Sequence, residues 1–163
     1  GALAQGASAF YPQRVAGLVL ANTALPVPWA RGLVRLTRRL LSMVPERSIK
    51  KRLLRSLGDL TDTSQATRTA ELLTKKDILN WLRWAADFHG SKLHKSDSRG
   101  AKKPTLIIES DNDPGVPAAH RRRLLEGYPH ASKVTFEGGG HFPHLKFGQE
   151  YCEAIVSFMR QES

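Results

Sequence analysis

The sequence predicts an α/β fold: parallel strands flanked by helices and interrupted by an all-helical insert. Three observations carry that expectation. VAGLVLA, residues 15–21, is a continuous apolar run of strand length, the pattern of a strand buried on both faces of a parallel sheet. PTLIIES and ASKVTFE are two later strand-like runs, each leading through a loop into an amphipathic helix. Between the first run and the second, residues 26–90 read as helix with little strand signal.

The elements follow in order. ALAQGASAFY is a helix of small residues, suited to close packing on a sheet and ended by Pro12. PQR makes the turn into the first strand. Pro26 and Pro28 open the helical insert, in which ARGLVRLTRRLLSMV runs to Pro45. ERSIKKRLLRSLG places Ile49, Leu53 and Leu57 on one stripe, with Gly58 as C-cap. A further helix is expected to begin near Thr63, and KKDILNWLRWAADFHG closes the insert at Gly90, with Ile78, Leu79, Leu82 and Phe88 on its apolar side. Residues 91–103 are a polar connector. Then come a strand entered by Pro104, the loop DNDPGVP, a helix with Leu124 and Leu125 turned inward, a strand entering EGGGHFPHL, and a final helix over 147–160 carrying Ala154, Ile155, Phe158 and Met159. Expected strands are thus about 15–21, 104–110 and 132–137. The expected organisation is the start of the α/β core in 1–25, a helical insert in 26–90, and the rest of the core in 91–163.

Composition narrows the classes. A chain of 163 residues with 40% hydrophobic side chains suits one domain with a small addition. One cysteine, Cys152, permits no internal disulfide and favours a reducing, cytoplasmic setting. No apolar run approaches the roughly 20 residues of a transmembrane segment. The formal charge of +10 gathers at Arg31, Arg35, Arg38, Arg39, Arg47, Lys50, Lys51, Arg52 and Arg55, with Glu46 the only acid among them. Leu33, Leu36, Leu40 and Leu41 recur at helical spacing beneath the first four. That reads as a solvated helix face, with a basic patch for anionic membranes or nucleic acid as the alternative. No aromatic residues interleave those arginines as in a single-strand binder, so no nucleic-acid partner is expected.

Chemistry in parallel sheets gathers at the carboxyl ends of the strands. DNDPGVP and GGGHFPH both sit there. A histidine acting as general base needs a partner that fixes its tautomer and stabilises the imidazolium, and a carboxylate does both. Adjacent strands lie about 4.8 Å apart, so Asp113 and His141 can come within hydrogen-bond reach. That is an acid–base pair in want of a nucleophile. His144 invites a metal hypothesis, but two loop histidines without a third ligand make a poor zinc site. No cofactor motif is present.

PTLIIESDNDPGVP, a helix, a strand and then GGGHFPHL resemble the C-terminal part of the α/β-hydrolase superfamily. GALAQGASAFYPQRVAGLVLANT is similar to the helix after that family's nucleophile elbow and the strand that follows. The resemblance implies a partial α/β-hydrolase fold with a cap in the helical insert, and a Ser-His-Asp triad in which Asp113 and His141 are catalytic. The serine of G-x-S-x-G would lie just upstream of Gly1, so residues 1–163 alone should be inactive and should leave an apolar strand edge at 15–21. Ser8, mid-helix with no strand before it, is not expected to be that serine. Trp29, Trp81, Trp84 and Phe88 would line a pocket for a small-molecule substrate with an apolar portion, unless the tryptophans serve simply as packing. EGYPHASKVTFEGGGHFPHL is also distantly similar to maspardin, a scaffold-like member of the superfamily with an incomplete triad. A non-catalytic binding protein with a protein partner is therefore the alternative, although this sequence keeps both Asp113 and His141. His89, His94, His120 and His130 read as surface residues, and Asp111 as a loop-ordering one.

Overall fold

The computed structural model describes residues 1–58, 67–68, 71–90 and 103–161, with the side chains of 53–58 and 90 left out. The described elements are α1 (Ala2–Phe10), a 3-10 turn (Pro12–Arg14), β1 (Leu18–Ala21), α2 (Ala30–Met43), α3 (Glu46–Gly58), α4 (Lys75–Gly90), β2 (Thr105–Ser110), α5 (Ala118–Gly127), β3 (Ser132–Phe136), α6 (Pro143–Lys146) and α7 (Gly148–Gln161). They fall into two compact units, Gly1–Leu25 with Lys95–Ser163, and Pro26–His94. The helix expected from near Thr63 lies mostly outside the described residues, as does nearly all of the 91–103 connector.

The first unit is built on a parallel sheet in the order β1-β2-β3. Leu18 pairs with Thr105 and Ala21 with Ile108; Leu106 pairs with Ser132 and Ser110 with Phe136. Side chains alternate across the sheet, so this register sorts them into two cores. Leu18, Leu20 and Ile107 face one way, against Leu124 of α5, Tyr128 and Ala4 of α1. Leu106, Ile108 and Phe136 face the other way, against Phe147, Tyr151, Ile155 and Phe158 of the C-terminal helical segment. The result is a helix–sheet–helix sandwich whose central strand, β2, is the most deeply buried of the three.

Two boundaries differ from expectation. The first strand begins at Leu18, because its first rung is the Leu18 N–H to the Pro104 carbonyl at 2.8 Å. As an edge strand it buries Leu18 and Leu20 but only half-buries Val19 and Ala21. The loop leaving the triple glycine contains a short helix that was not expected, α6, started by Pro143, and the final helix then runs as α7 from Gly148.

The second unit pairs α2 with α4. Val27 N–H donates to His89 Nδ1 (3.1 Å), Arg38 Nε to the Leu79 carbonyl (3.2 Å), and Lys75 Nζ to the carbonyls of Ser42 and Val44 (2.7 and 2.8 Å). These contacts join early residues of one helix to late residues of the other, so the pair is antiparallel. His89, expected at the surface, is instead half-buried and fixes the entry to α2. Thr74 and Asp77 close a capping box at the start of α4. Those Thr74 hydrogen bonds hold the Asp77 carboxyl below its ordinary value.

Only half of the apolar arc on α2 is covered. Val34, Thr37 and Leu41 are half-buried, whereas Leu33, Leu36 and Leu40 stay exposed together with Trp29 and Met43. The leucines beneath the arginines therefore form an open stripe rather than a core, because the contact with α4 engages the line beside them.

Leu20 is fully buried at the centre of its core. Leu20→Ala should lower unfolding free energy by about 2–5 kcal/mol in urea titrations. Burial pushes the Tyr128 phenol above its ordinary value of 10.0. Unfolded chain then loses that proton first, so the stabilisation is complete below pH 10 and is lost as pH rises through the higher folded value. Tyr128→Phe should flatten the alkaline fall in urea midpoint while leaving the neutral-pH slope alone.

Candidate active site

All three strands point the same way, so the residues just beyond them share one rim. Past β1 stands Asn22, past β2 the run Asp111–Asn112–Asp113, and past β3 the triple glycine that delivers His141. Each glycine there has its own physical reason. Gly138 and Gly140 adopt φ of +67° and +63°, which side-chain-bearing residues rarely do. Gly139 is packed so closely that a Cβ would stand 2.7 Å from Ser110 Oγ and 3.0 Å from Pro143 Cβ.

The second loop is laced to the third, one residue at a time. Asp111 Oδ1 accepts the Gly138 N–H (2.7 Å), and Asn112 Oδ1 accepts the Gly140 N–H (2.8 Å). Asp113 then meets His141, whose Nδ1 lies 2.8 Å from Oδ1 and 3.0 Å from Oδ2. Arg121 of α5 braces the lower loop through the carbonyls of Asp111 and Val116, both at 2.9 Å. Asp111 does order the loop, although it does so across the rim rather than within its own turn.

The Asp113 side chain has no solvent exposure. A carboxylate removed from water must be hydrogen-bonded throughout. Oδ1 also accepts the N–H groups of Gly115 (2.7 Å) and Val116 (3.1 Å), and Oδ2 accepts Asn22 Nδ2 (2.8 Å). His141 is 27% exposed at its side chain, with the Phe142 ring set edge-on to it at 4.9 Å. A carboxylate on Nδ1 holds the ring proton there and leaves Nε2 as the basic nitrogen. No described residue hydrogen-bonds Nε2. Such an imidazole can take a proton from a hydroxyl placed beside it and return that proton to a leaving group.

The other expected residues fall elsewhere. Ser8 is buried on α1. His144 is exposed and packs against Phe142 and Tyr151; His120 is half-buried and His130 exposed, while His94 lies outside the described residues. In the second unit, Trp29, Trp81 and Trp84 are exposed, and Trp84 stacks on Phe88 at 5.9 Å. They are not core packing of that unit. Trp81, Trp84 and Phe88 form a stripe along α4, as Trp29, Leu33, Leu36, Leu40 and Met43 do along α2.

Sequence reasoning missed Asn22, Asn112 and Gly115. An amide side chain directly after a buried strand was the available signal for the first. The start of α1 also belongs to this rim, since Gly1 lies against Thr23, the neighbour of Asn22.

Comparison with known proteins agrees with this architecture. The model of the alpha/beta hydrolase family matches residues 1–154. A pimeloyl-[acyl-carrier protein] methyl ester esterase from Xanthomonas campestris pv. campestris is 35% identical over 71 residues, which is 41% of this chain and 28% of that protein. Its counterpart in Xanthomonas oryzae pv. oryzae is 36% identical over 73 residues, 42% of this chain and 29% of that one. Among solved structures, a hydrolase from Pseudomonas aeruginosa superposes with a TM-score of 0.68 at 22% identity, covering 98% of this chain and 61% of that one. The enol-lactonase from Burkholderia xenovorans does so with a TM-score of 0.71 at 15% identity, covering 96% and 61%. The matches thus span under a third of the length of these curated relatives and about three-fifths of the solved structures.

A Cβ on Gly115 would stand 2.8 Å from His141 Nδ1 and 3.2 Å from Asp113 Oδ1. Gly115→Ala should drive a wedge into the pair at an overpacking cost of about 1–3 kcal/mol. A crystal structure of the variant should show the Nδ1–Oδ1 separation beyond hydrogen-bond range. An unchanged separation would mean that the loop yields instead.

Proposed function

The chain belongs to the alpha/beta hydrolase family, and on that premise we propose that it is the C-terminal part of a serine-type carboxylic ester hydrolase. The observation that carries this reading is the 2.8 Å contact between His141 Nδ1 and the fully buried Asp113 carboxylate. An imidazole held on Nδ1 with Nε2 left open is the arrangement a general base needs, which favours this reading over a non-catalytic scaffold. His141 takes the proton of the nucleophilic serine through Nε2 and passes it to the departing alcohol. Asp113 keeps the ring in the required tautomer and stabilises the imidazolium.

The serine itself stands upstream of Gly1 in this reading, on a strand-to-helix elbow leading into α1. Its support is the position of the α1 start beside Thr23, at the rim that holds His141. The residues 26–94 unit acts as the cap. Its exposed Trp29, Trp81 and Trp84, with half-buried Phe88 stacked on Trp84, suit the hydrocarbon portion of an acyl substrate. The relatives' activity makes a methyl ester of a carrier-bound acyl chain the first substrate to try, with simple short-chain esters as comparators.

The test uses the full-length protein and a chromogenic ester. Asp113→Asn should lower kcat by about 10⁴-fold, and His141→Ala by a similar factor, with little change in KM. A serine-directed phosphonate should label the parent, and residues 1–163 alone should neither be labelled nor turn over ester. Full activity in Asp113→Asn would sink the hydrolase reading.

A further inference from the structure

We propose that Asn22 is a positioning residue that holds the acid and the base of this site in one frame; its catalytic consequence rests on the hydrolase reading above. Asn22 is the only non-glycine with positive φ among the described residues, at 41°. That region costs a side-chain-bearing residue about 1 kcal/mol or more and persists where surrounding contacts over-determine it. Here the contacts are plain. The Asn22 N–H completes the last rung of the β1–β2 ladder on the Ile108 carbonyl (2.9 Å), so the residue stands directly beyond the sheet.

Its side-chain amide then spans both arms of the site. Nδ2 donates to Asp113 Oδ2 at 2.8 Å and to the carbonyl of Gly140, the residue before His141, at 3.2 Å. The two amide hydrogens are thus divided between the carboxylate and the peptide that carries the imidazole. A flipped amide would set its oxygen against two acceptors, so the chemistry of the partners fixes the orientation. Oδ1, the remaining polar atom, is buried and has no hydrogen-bond partner among the described residues. A buried acceptor without a partner is unfavourable, and it is retained here where the donor end has two good ones.

Each Asp113 oxygen can lie on Nδ1, at 2.8 and 3.0 Å. Backbone N–H groups hold Oδ1 alone, and Asn22 is the side chain that holds Oδ2. Without it Oδ2 keeps only its contact with the imidazole, so the carboxylate plane is held less firmly about its last bond, and the Gly140 carbonyl loses its tie to the first strand.

Two replacements separate backbone from side chain. Glycine accepts the left-handed conformation and donates nothing. Aspartate keeps the shape, tolerates the conformation, and sets an acceptor against the two acceptors that Asn22 serves. In the full-length protein, Asn22→Gly should keep its melting temperature within a few degrees while kcat falls about tenfold and KM holds. Asn22→Asp should lose more than Asn22→Gly. A readout independent of turnover is the Nδ1 proton of His141 in protein labelled with ¹⁵N-histidine: a sharp, far-downfield and slowly exchanging resonance in the parent, broadened or lost in both variants. A kcat within twofold of the parent together with an intact resonance in Asn22→Gly would overturn the proposal. An intact resonance in Asn22→Asp would overturn it even if the glycine variant unfolded. If the parent hydrolyses no ester at all, the hydrolase reading fails, and the resonance alone still decides the role of Asn22.

Discussion

One carboxylate shut off from solvent governs the whole rim. Asp113 is out of water on all sides, and in an apolar setting an ion of that kind is tolerable only when every lone pair has a donor. Its donors come from three places: the peptide groups of its own loop, the amide at the end of the first strand, and the imidazole beyond the third. Satisfying this charge therefore requires that three separate chain segments converge. The sheet beneath explains why they can. Parallel strands in fixed register bring all their ends to one side, and two apolar cores, one on each face, keep that register from slipping.

Much of this frame was legible in the residues. One continuous apolar run and two strand-like ones marked the strands, and the loops after the last two placed Asp113 and His141 on the same edge. Spacing alone singled out neither the tautomer nor the donors. Asn22 escaped notice because its importance lies in a backbone angle and in two partners 91 and 118 residues away, neither of which leaves a local pattern. The triple glycine was visible as a turn. What the sequence hid was the division of labour within it: two positions require a left-handed angle, and the middle one requires empty space.

The helical unit taught a different lesson. The periodicity of α2 showed an amphipathic helix, yet it could not say how much of the apolar arc another helix would cover. Along that arc only Val34, Thr37 and Leu41 are half-buried, and the leucines beside them stay exposed. The unit also holds 14 of the chain's 25 lysines and arginines but only 6 of its 15 acids. The basic character read from the overall composition is therefore a local property, and the α/β unit is close to neutral.

The lacing of Asp111, Asn112 and Asp113 onto the glycine turn has a consequence for how such a chain can change. Surface loops ordinarily absorb added or removed residues without harm. Here three neighbours on one loop each meet a separate station on the other, in step. Dropping or adding a single position between Ser110 and Pro114 would hand every side chain its neighbour's task and put the wrong group beneath the imidazole. The loop is locked in length while its composition has some latitude, so drift should reach it through point exchange and never through indels.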